Sequence, residues 1–334
     1  MSVYTQLTEQ EFRDFLSLYD EGELVNWQGI EAGIENTNYF VNTRHPAKGD
    51  QQFVLTIFEY LPKEKLPFFI RFMELLAKSG LPVPAPVHGR DDLSLKELKG
   101  KPCMLQPRLD GNHIEADDLT VEQCRLIGDS LARVHVAGQK ASFTQDNFRG
   151  MDWIGMQVSR LSTLLPEDER KLQAEQWQAI TAEFNDETDL PRGLIHADLF
   201  VDNVLFHKGK VSGIIDFFQS CEDWLLYDVA VTVNDWCLKS GSLELAPQRT
   251  EALLQAYAAV RPFTDEEHRL WPLIHRLACL RFWISRAITY TYPDHVLDSS
   301  DPHDDSVLRH FKDPAKFRDM LRLRTANSSS LVLP

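Results

Sequence analysis

Three oxygen-bearing side chains stand out by their spacing. Asp198 lies in the run HADLFVDN, Asn203 follows five residues later, and Asp216 comes thirteen beyond that, at the end of GIIDF. Between them, NVLFH and VSGII read as short apolar strands around Lys208-Gly209, a pair suited to a tight hairpin turn. If these strands pair, Asn203 at the start of the hairpin and Asp216 at its end fall side by side within a residue or two. Asp198 then sits on the loop leading in, so one end of a small ribbon gathers two carboxylates and an amide. Hard divalent cations take oxygen ligands, and a hydroxyl attacking a phosphoryl group needs a carboxylate to accept its proton. One such site meets both needs. A capped turn or a strand end would explain any one of the three residues; the set at this spacing carries the chemical reading.

The elements that must position this ribbon follow from the change of period along the chain. Residues 8–19, TEQEFRDFLSLY, carry a Thr cap with Glu11 three residues later and predict a short opening helix. From Leu24 to Phe58 the runs LVNWQGI, NYFVNT and QFVLTIF, separated by Gly, Asn, Pro and Asp clusters, predict three antiparallel strands. LPFFIRFMELLAK at 66–78 is an amphipathic helix ended by Ser79-Gly80, and the prolines of LPVPAPV keep the next stretch extended. KPCMLQPRL is a last strand before the connector Asp110-Gly111, which divides the chain near Gln106 to Leu109 into units of 1–106 and 107–334. Beyond it the spacing predicts helices at 119–137, 151–164, 167–184, 223–239, 247–260, 265–290 and 313–323, interrupted by the ribbon. The polar stretch 293–313 and the tail from Asn327 read as loop and frayed end. The class is α+β, a small antiparallel sheet with one helix followed by a larger, mainly helical unit.

Composition narrows the partners. The 334 residues hold 43% hydrophobic and 25% charged side chains, enough apolar material for the cores of two globular units. Fifty acidic against 35 basic residues leave a formal charge of −15, with no basic patch to attract a phosphate backbone, so no nucleic-acid partner is expected. Five scattered cysteines without ligand spacing read as free thiols in a reducing compartment. The N-terminus has neither a basic start nor an apolar stretch, and the apolar segment Leu273 to Ile288 is broken by His275, Arg276, Arg281 and Arg286. A cytoplasmic protein without a membrane partner is expected; the sequence carries no signal for an oligomeric state. His135 reads as a structural helix position, and the cluster of His295, Asp298, Asp301, His303, Asp304 and Asp305 as a solvated loop.

The HxDxxxxN pattern, with a further aspartate eighteen residues after its first, resembles the catalytic and metal-binding loops of protein-kinase-like phosphotransferases. The resemblance implies a bilobal fold with ATP in the cleft, Asp198 as catalytic base, and Asn203 and Asp216 as ligands of Mg²⁺. His196, and IDF in place of the usual triplet, point to the branch that acts on small molecules, similar to aminoglycoside, choline and methylthioribose kinases. GIENTNYFV then takes the place of the nucleotide-covering loop. Gly33 permits close backbone approach to phosphates, and Asn36, Thr37 and Asn38 offer donors; read alone, the stretch is an Asn-rich turn. Thr56 stands where that family carries an inward-pointing lysine, with Glu74 near the place of the lysine's glutamate partner. Lys63 or Lys65, or loop amides together with the metal, must then carry the phosphate charge.

In the C-terminal unit, Asp228 and Asp235 of WLLYDVAVTVNDWC are seven apart and share a helix face, and RLACLRFWISR sets Arg281 and Arg286 in an apolar helix. With FRGMDW, FVLT and KDPAKF, these phrases resemble the aminoglycoside-phosphotransferase-like family of homoserine kinases along nearly the whole chain. The resemblance implies phosphoryl transfer from ATP to the hydroxyl of L-homoserine, giving O-phospho-L-homoserine on the route to threonine. A zwitterionic substrate needs a cation for its carboxylate, for which Arg281 and Arg286 are candidates, and an anion for its ammonium, for which Asp235 is one. A kinase of another small alcohol and a nucleotide-binding pseudokinase, the latter suggested by Thr56, are the alternatives.

Overall fold

The computed structural model describes residues 3–30, 36–184, 188–291 and 313–334. Two units divide them, the first taking 3–78 and 82–109 and the second 79–81 and the residues from Asp110 on.

The first unit begins with α1 (Glu9–Leu16), capped reciprocally as its spacing predicts: Thr8 Oγ1 accepts from the Glu11 N–H, and the Glu11 carboxylate accepts from the Thr8 N–H at 2.7 Å. β1 (Glu23–Gly29), β2 (Asn36–His45) and β3 (Gly49–Phe58) form the expected antiparallel meander. β5 (Lys101–Pro107) pairs with β3, and β4 (Leu95–Leu98) closes the edge in the order β1-β2-β3-β5-β4. The four residues of β4, LKEL, lack apolar alternation; the strand forms because Lys99 and Gly100 both adopt positive φ and fold it back onto β5. Strand alternation then sorts the faces. Phe53, Leu55 and Ile57 of β3 pack with Phe12, Phe15, Tyr39 and Val41, each burial contributing about 1.5–3 kcal/mol. Val54 and Thr56 point to the opposite face, across from Phe40 and Asn38 on β2. α2 (Leu66–Lys78) stops at Ser79 and Gly80, the latter at φ 81°.

The second unit holds α3 (Val121–Gly138), α4 (Met151–Leu161), α5 (Glu167–Glu183), α6 (Leu225–Trp236), α7 (Pro247–Val260), α8 (Asp265–Arg286) and α9 (Ala315–Ala326). Gly128 lets α3 lie so close to α7 that a Cβ there would strike the Leu253 carbonyl. The predicted hairpin is present as β7 (Val204–His207) and β8 (Lys210–Ile214), with Lys208 and Gly209 both at positive φ in the turn. A second ribbon pairs β6 (Arg192–Ile195) with β9 (Cys221–Trp224). The helix expected at 223–239 therefore starts late, at Leu225, because the preceding residues supply the partner that β6 requires. All five cysteines are buried and free. Among the described residues, no helix is long and apolar enough to cross a membrane.

Candidate active site

The loop between β6 and β7 is held in a shape it would not adopt alone. Ala197 has φ 64°, a left-handed conformation that costs a residue with a Cβ about 1–2 kcal/mol. Asp228, fully buried on α6, holds it there: Oδ2 accepts from the His196 N–H at 2.8 Å and Oδ1 from the Ala197 N–H at 2.9 Å. Two turns further along α6, Asp235 Oδ2 accepts from the Val201 N–H at 3.0 Å, and the neighbouring Trp236 indole donates to the Leu199 carbonyl at 2.9 Å. One helix thus grips the loop at four places, with Asp198 between them.

His196 ties this loop to the end of β8. Its Nε2 lies 3.0 Å from the Ile215 carbonyl, which can only accept, so Nε2 carries the ring proton and Nδ1 is left to accept from the Asp198 N–H at 3.3 Å. Burial pushes the His196 pKa down and keeps the ring neutral. Asn203 makes the second tie: its carbonyl accepts from the Ile215 N–H at 3.0 Å, and its Nδ2 donates to the Asp198 carbonyl at 2.8 Å and reaches Asp198 Oδ2 at 3.4 Å. Asn203 Oδ1 takes no hydrogen bond among the described residues. Asp216, one residue past Ile215, has φ 62° and presents an exposed carboxylate where the turn Phe217–Gln219 begins. The structure therefore brings Asp198, Asn203 and Asp216 to one end of the ribbon. An amide oxygen and a carboxylate are a fitting donor pair for Mg²⁺, which is commonly held by one or two protein oxygens and completed by phosphate and water. Among the described residues no group of three or more His, Cys, Asp and Glu offers a different metal site.

Beside the loop lies an aromatic cluster. Phe200 sits 4.9 Å from Phe282 on α8, which stacks at 5.0 Å on Phe317 of α9. Arg281 is 4% exposed, its guanidinium lying 4.0 Å from the centre of the Phe282 ring. Among the described residues no acid forms a direct ion pair with it and no group accepts its hydrogen bonds. Burial works against its charge, while the carboxylate of Asp198 favours it and Arg149 opposes it. Arg286 lies 4.4 Å above the Phe317 ring, with Nη1 3.4 Å from the Asp313 carbonyl. Asp235 has partners that the sequence does not disclose, since besides the Val201 N–H it meets Lys316 Nζ at 3.3 Å.

In the first unit one expectation is corrected. Thr37 does not share a face with Asn36 and Asn38: alternation turns it away, and its Oγ1 donates to Glu59 at 2.6 Å while accepting from the N–H groups of Tyr4 and Thr5. Thr37 anchors the N-terminal segment and has no hydroxyl proton left for a phosphate. Burial alone would push Glu59 up, but bonds from Lys101, Thr37 and Thr5 outweigh it and hold its carboxyl below the usual range. Asn38 and Thr56 are cross-strand neighbours, with Thr56 Oγ1 donating to Asn38 Oδ1 at 2.8 Å. Asn36 is buried on the same face. Glu74 bonds to His88 at 2.9 Å, and Lys63 approaches Glu97 at 3.9 Å. Gly33 and the acidic and histidine cluster from His295 to Asp305 lie outside the described residues.

Sequence reasoning missed Asp228 as the loop's anchor and His196 as its tie to β8. The signal was available in the seven-residue spacing of Asp228 and Asp235, which puts both carboxylates on the face of α6 that meets the loop.

Comparison with known proteins bears on the same residues. The profile of the phosphotransferase enzyme family matches residues 26–263, a span that includes the loop and the ribbon. A homoserine kinase of Pseudomonas aeruginosa is 43% identical over 335 residues, covering 100% of this chain and 99% of the relative. A second, from Methylobacillus flagellatus, is 40% identical over 325 residues, covering 96% and 95%. Among solved structures, an amicoumacin kinase in complex with AMP-PNP and Ca²⁺ superposes with a TM-score of 0.70 over 96% of this chain and 94% of its own, at 16% identity, a likeness of fold.

Proposed function

Since the chain belongs to the phosphotransferase enzyme family, and within it to the homoserine kinases, we propose that it transfers the γ-phosphoryl group of ATP to the hydroxyl of L-homoserine, giving O-phospho-L-homoserine and ADP. Asp198 accepts the hydroxyl proton as the oxygen attacks phosphorus. Its carboxylate is approached by Asn203 Nδ2, its own N–H is held by His196, and Asp228 fixes the two preceding N–H groups, so little reorganisation is left for the reaction itself. Asn203 Oδ1 and the Asp216 carboxylate would hold Mg²⁺, which would supply positive charge to offset that of the phosphates. Asn38, oriented by Thr56, and Asn36 donate to the nucleotide in place of a lysine.

The observation that most favours homoserine over an amino alcohol is Arg281. A buried guanidinium that feels the Asp198 carboxylate but makes no direct ion pair among the described residues lacks the contact such a charge ordinarily requires, and a substrate carboxylate supplies it through two parallel hydrogen bonds. Arg286 adds positive charge on the same aromatic cluster, and Asp235 meets the substrate ammonium by exchanging Lys316 for it. The reaction belongs to the cytoplasm, where the five thiols stay reduced. ADP release, measured with Mg²⁺ and ATP over homoserine, 3-aminopropanol, choline, methylthioribose and kanamycin, tests the reading. Homoserine should be turned over best; equal turnover of 3-aminopropanol, which is homoserine without its carboxylate, would make this an amino-alcohol kinase, and ADP release with none of the five would leave only a nucleotide-binding role.

A further inference from the structure

The network behind the catalytic loop extends well past Asp228. His135, fully buried on α3, places Nε2 3.1 Å from Asp228 Oδ2 and Nδ1 2.7 Å from the Tyr257 hydroxyl of α7. The carboxylate can only accept, so Nε2 carries the ring proton and Tyr257 donates to Nδ1. Burial pushes the His135 pKa down and the Tyr257 pKa up, so both groups stay neutral at pH 7. Arg261 Nη1 reaches the same hydroxyl oxygen at 3.3 Å, and Arg261 is itself held by Glu267 of α8 in two contacts of 2.8 and 3.1 Å. Glu267 in turn accepts from the Thr264 N–H at 2.8 Å, where it caps α8. The donors run in one direction, from Arg261 through Tyr257 and His135 to Asp228, which accepts from the other side the N–H groups of His196 and Ala197.

That direction has a consequence for the loop. A neutral imidazole can carry its proton on either nitrogen, and with the proton on Nδ1 the lone pair of Nε2 would face the Asp228 carboxylate in a dry site. Asp228 disfavours this tautomer, and the Tyr257 hydroxyl, whose oxygen accepts from Arg261 and whose proton is aimed at Nδ1, adds to that preference and holds the ring against the carboxylate. We propose that Tyr257, oriented by the Arg261–Glu267 pair, is a positioning residue for phosphoryl transfer: by holding the His135 ring through Nδ1 it keeps Asp228 on the loop and Asp198 in register with the substrate hydroxyl. The inference rests on Asp198 as proton acceptor and not on the identity of the alcohol.

Tyr257→Phe is the direct test, since it keeps the ring stacked 5.0 Å from Phe263 and removes one hydroxyl. The expected result is a fall in kcat of about tenfold, the weight of one hydrogen bond, with KM for ATP and homoserine within about twofold of wild type. Amide hydrogen exchange at Ala197 should quicken by a similar factor, and the Nδ1 shift of His135 should report the loss of its hydrogen bond. Glu267→Gln, which keeps an oxygen for the Thr264 N–H, should shift the same quantities in the same sense by less. Wild-type kcat with wild-type protection at Ala197 in Tyr257→Phe would overturn the proposal. So would KM values that rise as much as kcat falls, the sign of general loosening. Should Tyr257→Phe fail to fold, Glu267→Gln decides by the same readings. Exchange and nitrogen shifts need no substrate, so inactivity towards homoserine would sink the proposed reaction and leave Tyr257 to be judged on its own.

Discussion

Replacing Arg281 by methionine should stabilise the protein and cripple it as a homoserine kinase at once. The guanidinium is 4% exposed, makes no direct ion pair among the described residues, and gains the face of Phe282 and the field of the Asp198 carboxylate. Exchanging a poorly compensated buried charge for an apolar side chain of similar length commonly stabilises by about 1–4 kcal/mol. Loss of the ring contact takes back up to about 2 kcal/mol. The net gain is on the order of 1–2 kcal/mol, a rise in Tm of about 2–8 °C for a unit of this size. Binding moves the other way: a carboxylate deprived of its arginine in a dry site loses about 2–5 kcal/mol, or roughly thirty- to several-thousand-fold in kcat/KM for homoserine. Coupled ADP release with homoserine and with 3-aminopropanol separates the effects, since the variant should lose its preference between the two while KM for ATP stays within about threefold of wild type. A variant that melts earlier and keeps its KM for homoserine would show that Arg281 is structural and that the carboxylate binds elsewhere.

Three further outcomes follow from the loop and its surroundings. Asp198→Asn should bind ATP nearly as wild type and turn over at least about a hundredfold more slowly, the lower range for a positioned general base; wild-type turnover would remove Asp198 from the mechanism. Asp216→Ala should abolish saturable Mg²⁺-dependent turnover, and the wild type should stop in excess EDTA; activity surviving both would contradict Asp216 as a metal ligand. His135, His196 and His275 all have pKa values depressed by burial, so below about pH 6.5 the unfolded chain takes up protons that the folded one refuses. Stability should therefore fall on acidification by up to about 1.4 kcal/mol per pH unit for each of them until the folded groups titrate; denaturant midpoints that hold flat between pH 6.5 and 5 would show these rings to be charged in the native state.

The site was legible where chemistry and local spacing coincide. Asp198, Asn203 and Asp216 fall within nineteen consecutive residues, and the Lys208-Gly209 turn between them has a strong local signature, so the ribbon could be built from the sequence. The helices were legible for the same reason: Thr8 with Glu11 announces α1, and an unbroken apolar stripe announces α2. What could not be read depended on side-chain direction or distant partners. Thr37 and Asn38 are adjacent and chemically alike, yet strand alternation sends one to Glu59 and the other to Thr56. β4 has no local signal because its pairing with β5 makes it a strand. That Asp235 also holds the Val201 N–H and Lys316 could not be read, because neither lies near it in sequence.

The same distinction explains why this centre needs α6 as much as the loop. Left to itself, the Ala197 peptide would relax from φ 64° and recover about 1–2 kcal/mol, carrying Asp198 with it. Two backbone donors to an ionised, buried acceptor contribute about 1.5–3 kcal/mol each, enough to hold the strained residue in place. A neutral amide at position 228 could not do the same, since it offers one acceptor oxygen and would turn a donor NH₂ towards the other N–H or towards His135 Nε2. The base is therefore specified twice along the chain: once in the loop that carries Asp198, and again thirty residues later in the helix whose carboxylate makes the loop's shape affordable. A substitution in the second place should mimic one in the first without touching either substrate.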